Sequence, residues 1–247
     1  MVEEGADALD VGGESTRPGA DEVPLDEELA RVIPVIERLS RECAVPVFVD
    51  TSKPEVMRAA VGAGAGLIND VFALRREGAL DAAASLKVPV CLMHMQGDPR
   101  TMQDAPHYDD VVSEVHRFLA ERIFACEMNG IAKKKLVVDP GFGFGKTLDH
   151  NLALLRQLSR FADLGVPVLA GLSRKGMIGT LTGRSQGERV HGSVAAGLVA
   201  AQNGAKLLRV HDVAATVDAL KVWQAVAAQG VPKGKSAPVM PKWGDED

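Results

Sequence analysis

Seven short apolar runs, spread over most of the chain, constrain its fold more than any other feature. They are Ala8–Gly12, Pro46–Asp50, Gly66–Asp70, Pro89–His94, Leu136–Asp139, Pro167–Leu172 and Leu207–His211. Most are apolar on both faces, as strands covered on both sides are. Helical patterns separate them. Leu29, Ile33, Ile36 and Leu39 recur at spacings of three and four within Leu25–Arg41, and Val112, Val115, Leu119, Ile123 and Cys126 do so further on. Pro54 stands where a first-turn proline belongs, and Gly130 and Gly204 stand where helices stop. Met1–Ala6 reads as the tail of a helix. Strand and helix in alternation make a parallel α/β fold.

Polar residues decide between a barrel and a doubly wound sheet. Glu14, Asp50, Asn69, His94, Asp139, Ser173, Arg209 and His211 lie at or just past the ends of different runs. Residues gathered from many strand ends are the habit of the (β/α)8 barrel, whereas a doubly wound sheet concentrates its site at one switch point. Seven strands are visible where a barrel has eight. The barrel reading therefore expects an N-terminal truncation, with one strand and most of one helix missing before Met1. A hydrophobic share of 46% in 247 residues suits one core, here expected over residues 1–229. Residues 230–247, with Pro232, Pro238 and Pro241, read as a mobile tail.

Composition excludes several classes of function. A net charge of −5 argues against nucleic acid as a partner, because binding a phosphate backbone needs clustered positive charge. Cys43, Cys91 and Cys126 form no CxxC pair, which suits a reducing, cytoplasmic setting. No apolar run is long enough to span a membrane, and Met-Val-Glu-Glu does not open a signal peptide.

Six segments could carry chemistry. Asp10–Gly19 leaves a strand for a glycine-rich loop in which Ser15, Thr16 and Arg17 offer donors to an anion. Asp50 and Asn69 each end an apolar run. They could cap a helix and close a turn, or read a heterocycle with adjacent donors and acceptors. Leu136–Thr147 invites a phosphate-loop reading, but Gly141 has three residues, not four, before Gly145-Lys146. Asp139 with Phe142 and Phe144 suits a flat aromatic ligand instead. Ser173, Arg174 and Lys175 precede a helix start at Gly176, an anion-binding arrangement. Arg209 and His211 share one strand face and suit phosphate or pyrophosphate; the bland alternative is a salt bridge with Asp212. Met93 sits beside His94 near the mouth. His107, His116, His150 and His191 read as ordinary surface or packing residues.

These segments together resemble the dihydropteroate synthase family of pterin-binding enzymes. The matching stretches are DVGGESTRPGA from Asp10, DTSKP from Asp50, IND from Ile68, VCLMHMQG from Val90, DPGFGFGK from Asp139, SRK from Ser173 and RVHD from Arg209. They occur in the family's order. The resemblance implies a TIM barrel that condenses 6-hydroxymethyl-7,8-dihydropterin pyrophosphate with p-aminobenzoate, giving 7,8-dihydropteroate and pyrophosphate in folate biosynthesis. It implies that Asp50, Asn69, Asp139 and Lys175 hold the pterin, with Met93 packing nearby. Thr16, Arg209 and His211 would hold pyrophosphate. Thr16, Arg17, Phe144, Ser173, Lys175 and Gly176 would frame p-aminobenzoate, with the Gly176 backbone replacing a serine that the family often has there. Asp50, Asp139, Lys175 and Arg209 would carry catalysis. Mg2+ is the implied cofactor, but its asparagine belongs to a family loop that does not occur in this sequence, so no metal ligand is assigned. Sulfonamides as inhibitors and a homodimer follow from the same resemblance. Two alternatives remain: a catalytically impaired pterin-binding remnant, and a methyltetrahydrofolate-type methyltransferase barrel, which shares the Asp and Asn ring contacts.

Overall fold

The computed structural model describes residues 1–227, so the boundary expected at 229 and the tail expected beyond it lie outside the described residues. Strand and helix alternate as β1 (Leu9–Gly12), α1 (Leu25–Glu42), β2 (Val47–Asp50), α2 (Pro54–Gly62), β3 (Leu67–Asp70), α3 (Ala79–Leu86) and β4 (Val90–Met93). They continue as α4 (Val111–Met128), β5 (Leu136–Asp139), α5 (Leu148–Arg156), β6 (Leu169–Ala170), α6 (Gly176–Thr182), α7 (Val190–Gln202), β7 (Leu207–Leu208) and α8 (Val213–Ala227). All strand pairs are parallel, in the order β1-β2-β3-β4-β5 and then β6-β7. A parallel bridge between Val138 and Val168 carries the wall from β5 to β6. This is the strand wall of a (β/α)8 barrel, with seven strands among the described residues.

Each strand sorts its side chains by the two-residue period. One face meets the helices. Val47, Val49, Ile68, Val90, Leu92, Leu136 and Val138 join the main core there with Ile36, Met57, Val115, Leu119 and Phe161. The other face fills the barrel. Phe48, Leu67, Cys91, Val137 and Leu169 form a separate inner cluster, with Ala8 and Leu207 packed against it. Every large apolar side chain buried in this way contributes roughly 1.5–3 kcal/mol against chain entropy.

One local expectation holds and two change. Met1–Ala6 has the bonds of a helix end: the Ala6 N–H donates to the Met1 carbonyl at 3.1 Å and the Gly5 N–H to the Val2 carbonyl at 2.9 Å, with Gly5 at φ +100°. The buried stripe of α1 centres on Glu28, Val32 and Ile36, so Leu29, Ile33 and Leu39 are its flanks. β6 and β7 are two residues each, shorter than their apolar runs, and the Arg209 N–H just past β7 still donates to the Ala170 carbonyl at 3.1 Å.

Candidate active site

The barrel period builds the site directly. Two residues on from the inner apolar layer at Ala8, Phe48, Leu67, Cys91, Val137, Leu169 and Leu207 stand Asp10, Asp50, Asn69, Met93, Asp139, Gly171 and Arg209. Residues i and i+2 share a strand face. A polar ring therefore lies one layer above an apolar plug, at the C-terminal mouth where barrel enzymes keep their chemistry. Parallel register sets Asp50 beside Asn69 and Met93 beside Asp139. All four are buried.

On the β1–β3 side, one guanidinium serves two carboxylates. Arg209 Nε lies 2.6 Å from Asp10 Oδ2, and Nη2 lies 2.7 Å from Asp50 Oδ2. Asn69 Nδ2 donates to Asp10 Oδ2 at 3.3 Å, while Asp10 Oδ1 is buried without a partner among the described residues. Burial pushes the Asp50 carboxyl up to about 7; Asp10 adds to the rise and Arg209 opposes it. Burial works against the Arg209 charge, but Asp10, Asp50 and Asp139 outweigh it and raise its pKa. Arg209 still keeps 44% of its side-chain surface open. Gly171 holds a gap between the two sides: a Cβ there would lie 3.9 Å from both Asp139 Oδ2 and Arg209 Cβ.

On the β5–β6 side, Asp139 accepts the Gly141 N–H at 2.7 Å. Burial raises its pKa, whereas Lys175, that N–H, Lys146 and Arg209 all pull it down. Lys175 Nζ donates to the Phe142 carbonyl and lies 4.3 Å from the Phe144 ring centroid. Burial lowers its pKa to about 8, partly offset by Asp139. The loop after β5 sits on the end of β4: at Gly141, with φ +71°, a Cβ would come within 1.8 Å of the His94 carbonyl oxygen.

At the rim, Ser173 Oγ accepts the His211 N–H at 3.2 Å and lies 3.0 Å from His211 Nδ1. Burial, then Arg174, lowers the His211 pKa, so its ring is neutral at neutral pH. Thr16 is half-buried and Arg17 exposed on the loop after β1, where neither side chain bonds to the ring below. Gly176 opens α6 with open space beside its Cα.

Several residues lie elsewhere than the strand-end reading places them. Phe142 is fully buried in the main core, so Phe144 alone of the two borders the ring; positive φ at Gly141 and Gly143 turns the loop between them. His94 falls on the helix-facing side of its strand, edge-on to Phe118, and burial holds its pKa down near 2. Glu14 turns aside to Lys53. Asp212 pairs with Arg174, at 2.5 Å, rather than with Arg209 or His211. Asp50 caps no helix: α2 has no side-chain cap. Two residues without an assigned role belong with the ring. Asp10 shares the two-residue offset of Asp50 and Asn69, which is the signal that finds it. Lys146, 3% exposed, lies 2.9 Å from His94 Nδ1 and donates to the Phe144 carbonyl at 2.9 Å; nothing local in the sequence announces this.

Among the described residues, no three His, Cys, Asp or Glu side chains are grouped to hold a metal ion. Asp10 and Asp50 each spend an oxygen on Arg209, so the donors among the described residues do not fit the implied Mg2+. No described helix is long and apolar enough to cross a membrane.

Known proteins match this arrangement. The family described as pterin binding enzyme matches residues 1–211. The dihydropteroate synthase of Escherichia coli K12 is 55% identical over 225 residues, covering 91% of this chain and 80% of that protein. Among solved structures, the Xanthomonas albilineans dihydropteroate synthase with 4-aminobenzoic acid is 70% identical with a TM-score of 0.88, covering 94% of this chain and 82% of that one. The Yersinia pestis enzyme in complex with a sulfonamide drug is 50% identical with a TM-score of 0.91, covering 92% and 83%.

Proposed function

The chain belongs to the dihydropteroate synthase family of pterin-binding enzymes, and from that premise we propose how its mouth condenses 6-hydroxymethyl-7,8-dihydropterin pyrophosphate with p-aminobenzoate. The observation that carries the reading is the ring one layer above the barrel plug, where Asp50, Asn69, Asp139, Lys175 and Arg209 gather around the gap at Gly171. Carboxylates and an amide offer the acceptors and donors that a pterin edge needs. Met93, buried between them, gives its ring an apolar neighbour.

The reaction breaks the bond from the pterin methylene to the pyrophosphate oxygen and forms a bond to the arylamine nitrogen, which gives up a proton. Negative charge grows on the leaving group and positive charge on the methylene. Arg209 spends Nε and Nη2 on Asp10 and Asp50, which leaves Nη1 for the pyrophosphate. Neutral His211 on Ser173, and Thr16 above them, add donors. Asp50 and Asp139 hold the pterin through its N–H groups and stabilise the cationic methylene by their charge. Lys175 donates to the ring from the opposite side. Phe144, Ser173, Arg17 and the Gly176 backbone then receive the p-aminobenzoate, and sulfonamides would occupy that place.

The wider setting is proposed with it. Leu181, Val199, Val222 and Val226 leave apolar surface exposed on α6, α7 and α8, which supports a homodimer; light scattering would test it. Three unpaired thiols suit the cytoplasm.

The test is calorimetric titration with 6-hydroxymethylpterin, followed by a pyrophosphate-release assay with p-aminobenzoate. Binding is expected in the native chain and not in Asp139→Asn. A folded chain that binds no pterin would overturn the reading.

A further inference from the structure

We infer that Glu14, Lys53 and Glu28 form a buried latch that positions the loop after β1, so that Lys53 and Glu14 set affinity for the arylamine substrate without touching it. The inference rests on the reading above, in which Thr16 and Arg17 on that loop meet p-aminobenzoate.

One oxygen closes the loop upon itself. Glu14 Oε2, at the start of Glu14–Val23, accepts the Val23 N–H at 2.9 Å and Lys53 Nζ at 2.5 Å. Lys53 also reaches Glu28 Oε2 at 2.6 Å, and Glu28 Oε1 accepts the Thr51 hydroxyl at 2.6 Å. Side-chain exposure falls inward along this chain, from 17% at Glu14 to 11% at Lys53 and 1% at Glu28. Two carboxylates thus surround one ammonium, and together they raise its pKa although burial works the other way. Such a group holds its geometry because a member that swings away leaves a charge in a poorly hydrated place with fewer partners. The backbone beside it has no slack. A Cβ at Gly13 would lie 2.8 Å from Val32 Cγ1 and 3.0 Å from Glu28 Cγ, while Arg31 Nη1 donates to the Gly13 carbonyl at 2.7 Å.

Between the clipped ends, Arg17 is exposed and Thr16 half-buried, and the bonds at Arg17, from its N–H to Ser15 Oγ at 3.4 Å and from the Ala20 N–H to its carbonyl at 3.1 Å, stay within the loop. The loop as a whole is placed by the latch, by the Gly19 N–H, which donates to Pro99 O at 3.0 Å, and by Glu22, which pairs with Arg76 at 2.6 Å. Lys53 follows Asp50 by three residues, so the strand end that meets the pterin also anchors the loop for the second substrate. No latch residue bonds to Asp10, Asp50, Asn69, Asp139 or Arg209 among the described contacts. Loosening it should therefore weaken binding of p-aminobenzoate, which the loop meets through Thr16 and Arg17, more than that of the pterin pyrophosphate, which it meets through Thr16 alone.

The test pairs hydrogen exchange with steady-state kinetics. Glu14→Ala leaves the Lys53–Glu28 pair in place and should fold. Exchange of the Val23 and Gly19 amides should quicken by about tenfold or more. The KM for p-aminobenzoate should rise about tenfold and that for the pterin pyrophosphate by no more than about threefold, with kcat within about twofold. Glu14→Gln, which can still accept the Val23 N–H, should fall between. Unchanged exchange in Glu14→Ala would overturn the latch. Quickened exchange with both KM values flat, or both raised equally, would overturn its role in selecting substrate. Thr16→Ala separates the two levels. If it also leaves the KM for p-aminobenzoate unchanged, the loop reading has failed. If it raises that KM while Glu14→Ala does not, only the latch has failed.

Discussion

Asp50 and Asp139 are buried to the same depth, 9% and 7% exposed, but they keep different company. Asp50 shares its side of the mouth with a second carboxylate, Asp10, and both lean on Arg209. Every charged neighbour that acts on Asp139 favours its ionised form, and a backbone N–H fixes its orientation. Burial raises both pKa values, yet only Asp50 also faces a like charge as a main cause. The lesson is a division of labour. The β5–β6 side is a fixed anchor, and the β1–β3 side is a charge balance that a ligand can tip.

Breaking the anchor should have the largest effect. Asp139→Asn keeps the volume and the Gly141 bond but removes the charge that Lys175 and the pterin cation both need. Its kcat/KM is expected to fall on the order of 10²–10³-fold, the usual cost of losing one preorganised electrostatic partner. A value within about threefold of native, by pyrophosphate release, would remove Asp139 from the mechanism.

Breaking the balance comes next. Arg209→Met leaves Asp10 and Asp50 adjacent with no cation between them and takes away the pyrophosphate donor. We expect kcat/KM to drop roughly 10²-fold, with inorganic pyrophosphate losing most of its inhibition. Unchanged pyrophosphate inhibition would show that Arg209 serves the carboxylates alone.

The two sides also differ in how much of them the sequence displays. Asp50, Asn69, Asp139 and Arg209 are legible because each follows an apolar run and the barrel period does the rest. Phe142 and Phe144 look equivalent in a Gly-Phe-Gly-Phe-Gly string, and only the positive φ at Gly141 and Gly143 sends one to the core and the other to the site. Gly141 lies against the His94 carbonyl just past β4 and Gly143 against the Lys175 side chain, and both contacts are tertiary. Glu28 is one of three first-turn acids of α1 with nothing local to single it out, yet its side chain is 1% exposed and pairs with Lys53, 25 residues away. Lys146 hides in a string that resembles a phosphate loop, and its partner His94 lies 52 positions away. β1 to β5 stand close to their apolar runs because those runs are continuous. β6 and β7 are two residues each although the Arg209 N–H beyond them still donates to the Ala170 carbonyl, and past that point ion pairs and hydroxyl bonds take over.

A pH profile sharpens the comparison by titrating one group from each side. Asp50, up at about 7, must be ionised to accept pterin N–H groups, so kcat/KM should rise with pH through that region. Lys175, down at about 8, must be protonated to donate, so kcat/KM should fall above it. The curve is a narrow bell, with about tenfold change per pH unit outside it. Arg209→Met should move the lower limb upward, and Lys175→Arg should erase the upper one. A single acid limb between about 4 and 5, the range of ordinary carboxylates, would contradict the charge balance at Asp50.

The smallest effect lies in folding stability, and it isolates Asp50 from catalysis altogether. With a folded pKa near 7 against an ordinary value of 3.8, the native state binds a proton that the unfolded chain has released between those limits. Stability from this residue is therefore complete below about 4 and is lost as pH rises to about 7, by a few kcal/mol at most. Asn at that position cannot ionise and escapes the loss. Asp50→Asn should thus gain stability relative to the native chain as pH rises from 5 to 8, read by urea denaturation at each pH. The difference is the quantity to follow, because other titrating groups are common to both chains and cancel. A flat difference would mean that Arg209 fully compensates Asp50 at every pH, and that the β1–β3 side is as fixed as its counterpart across the mouth.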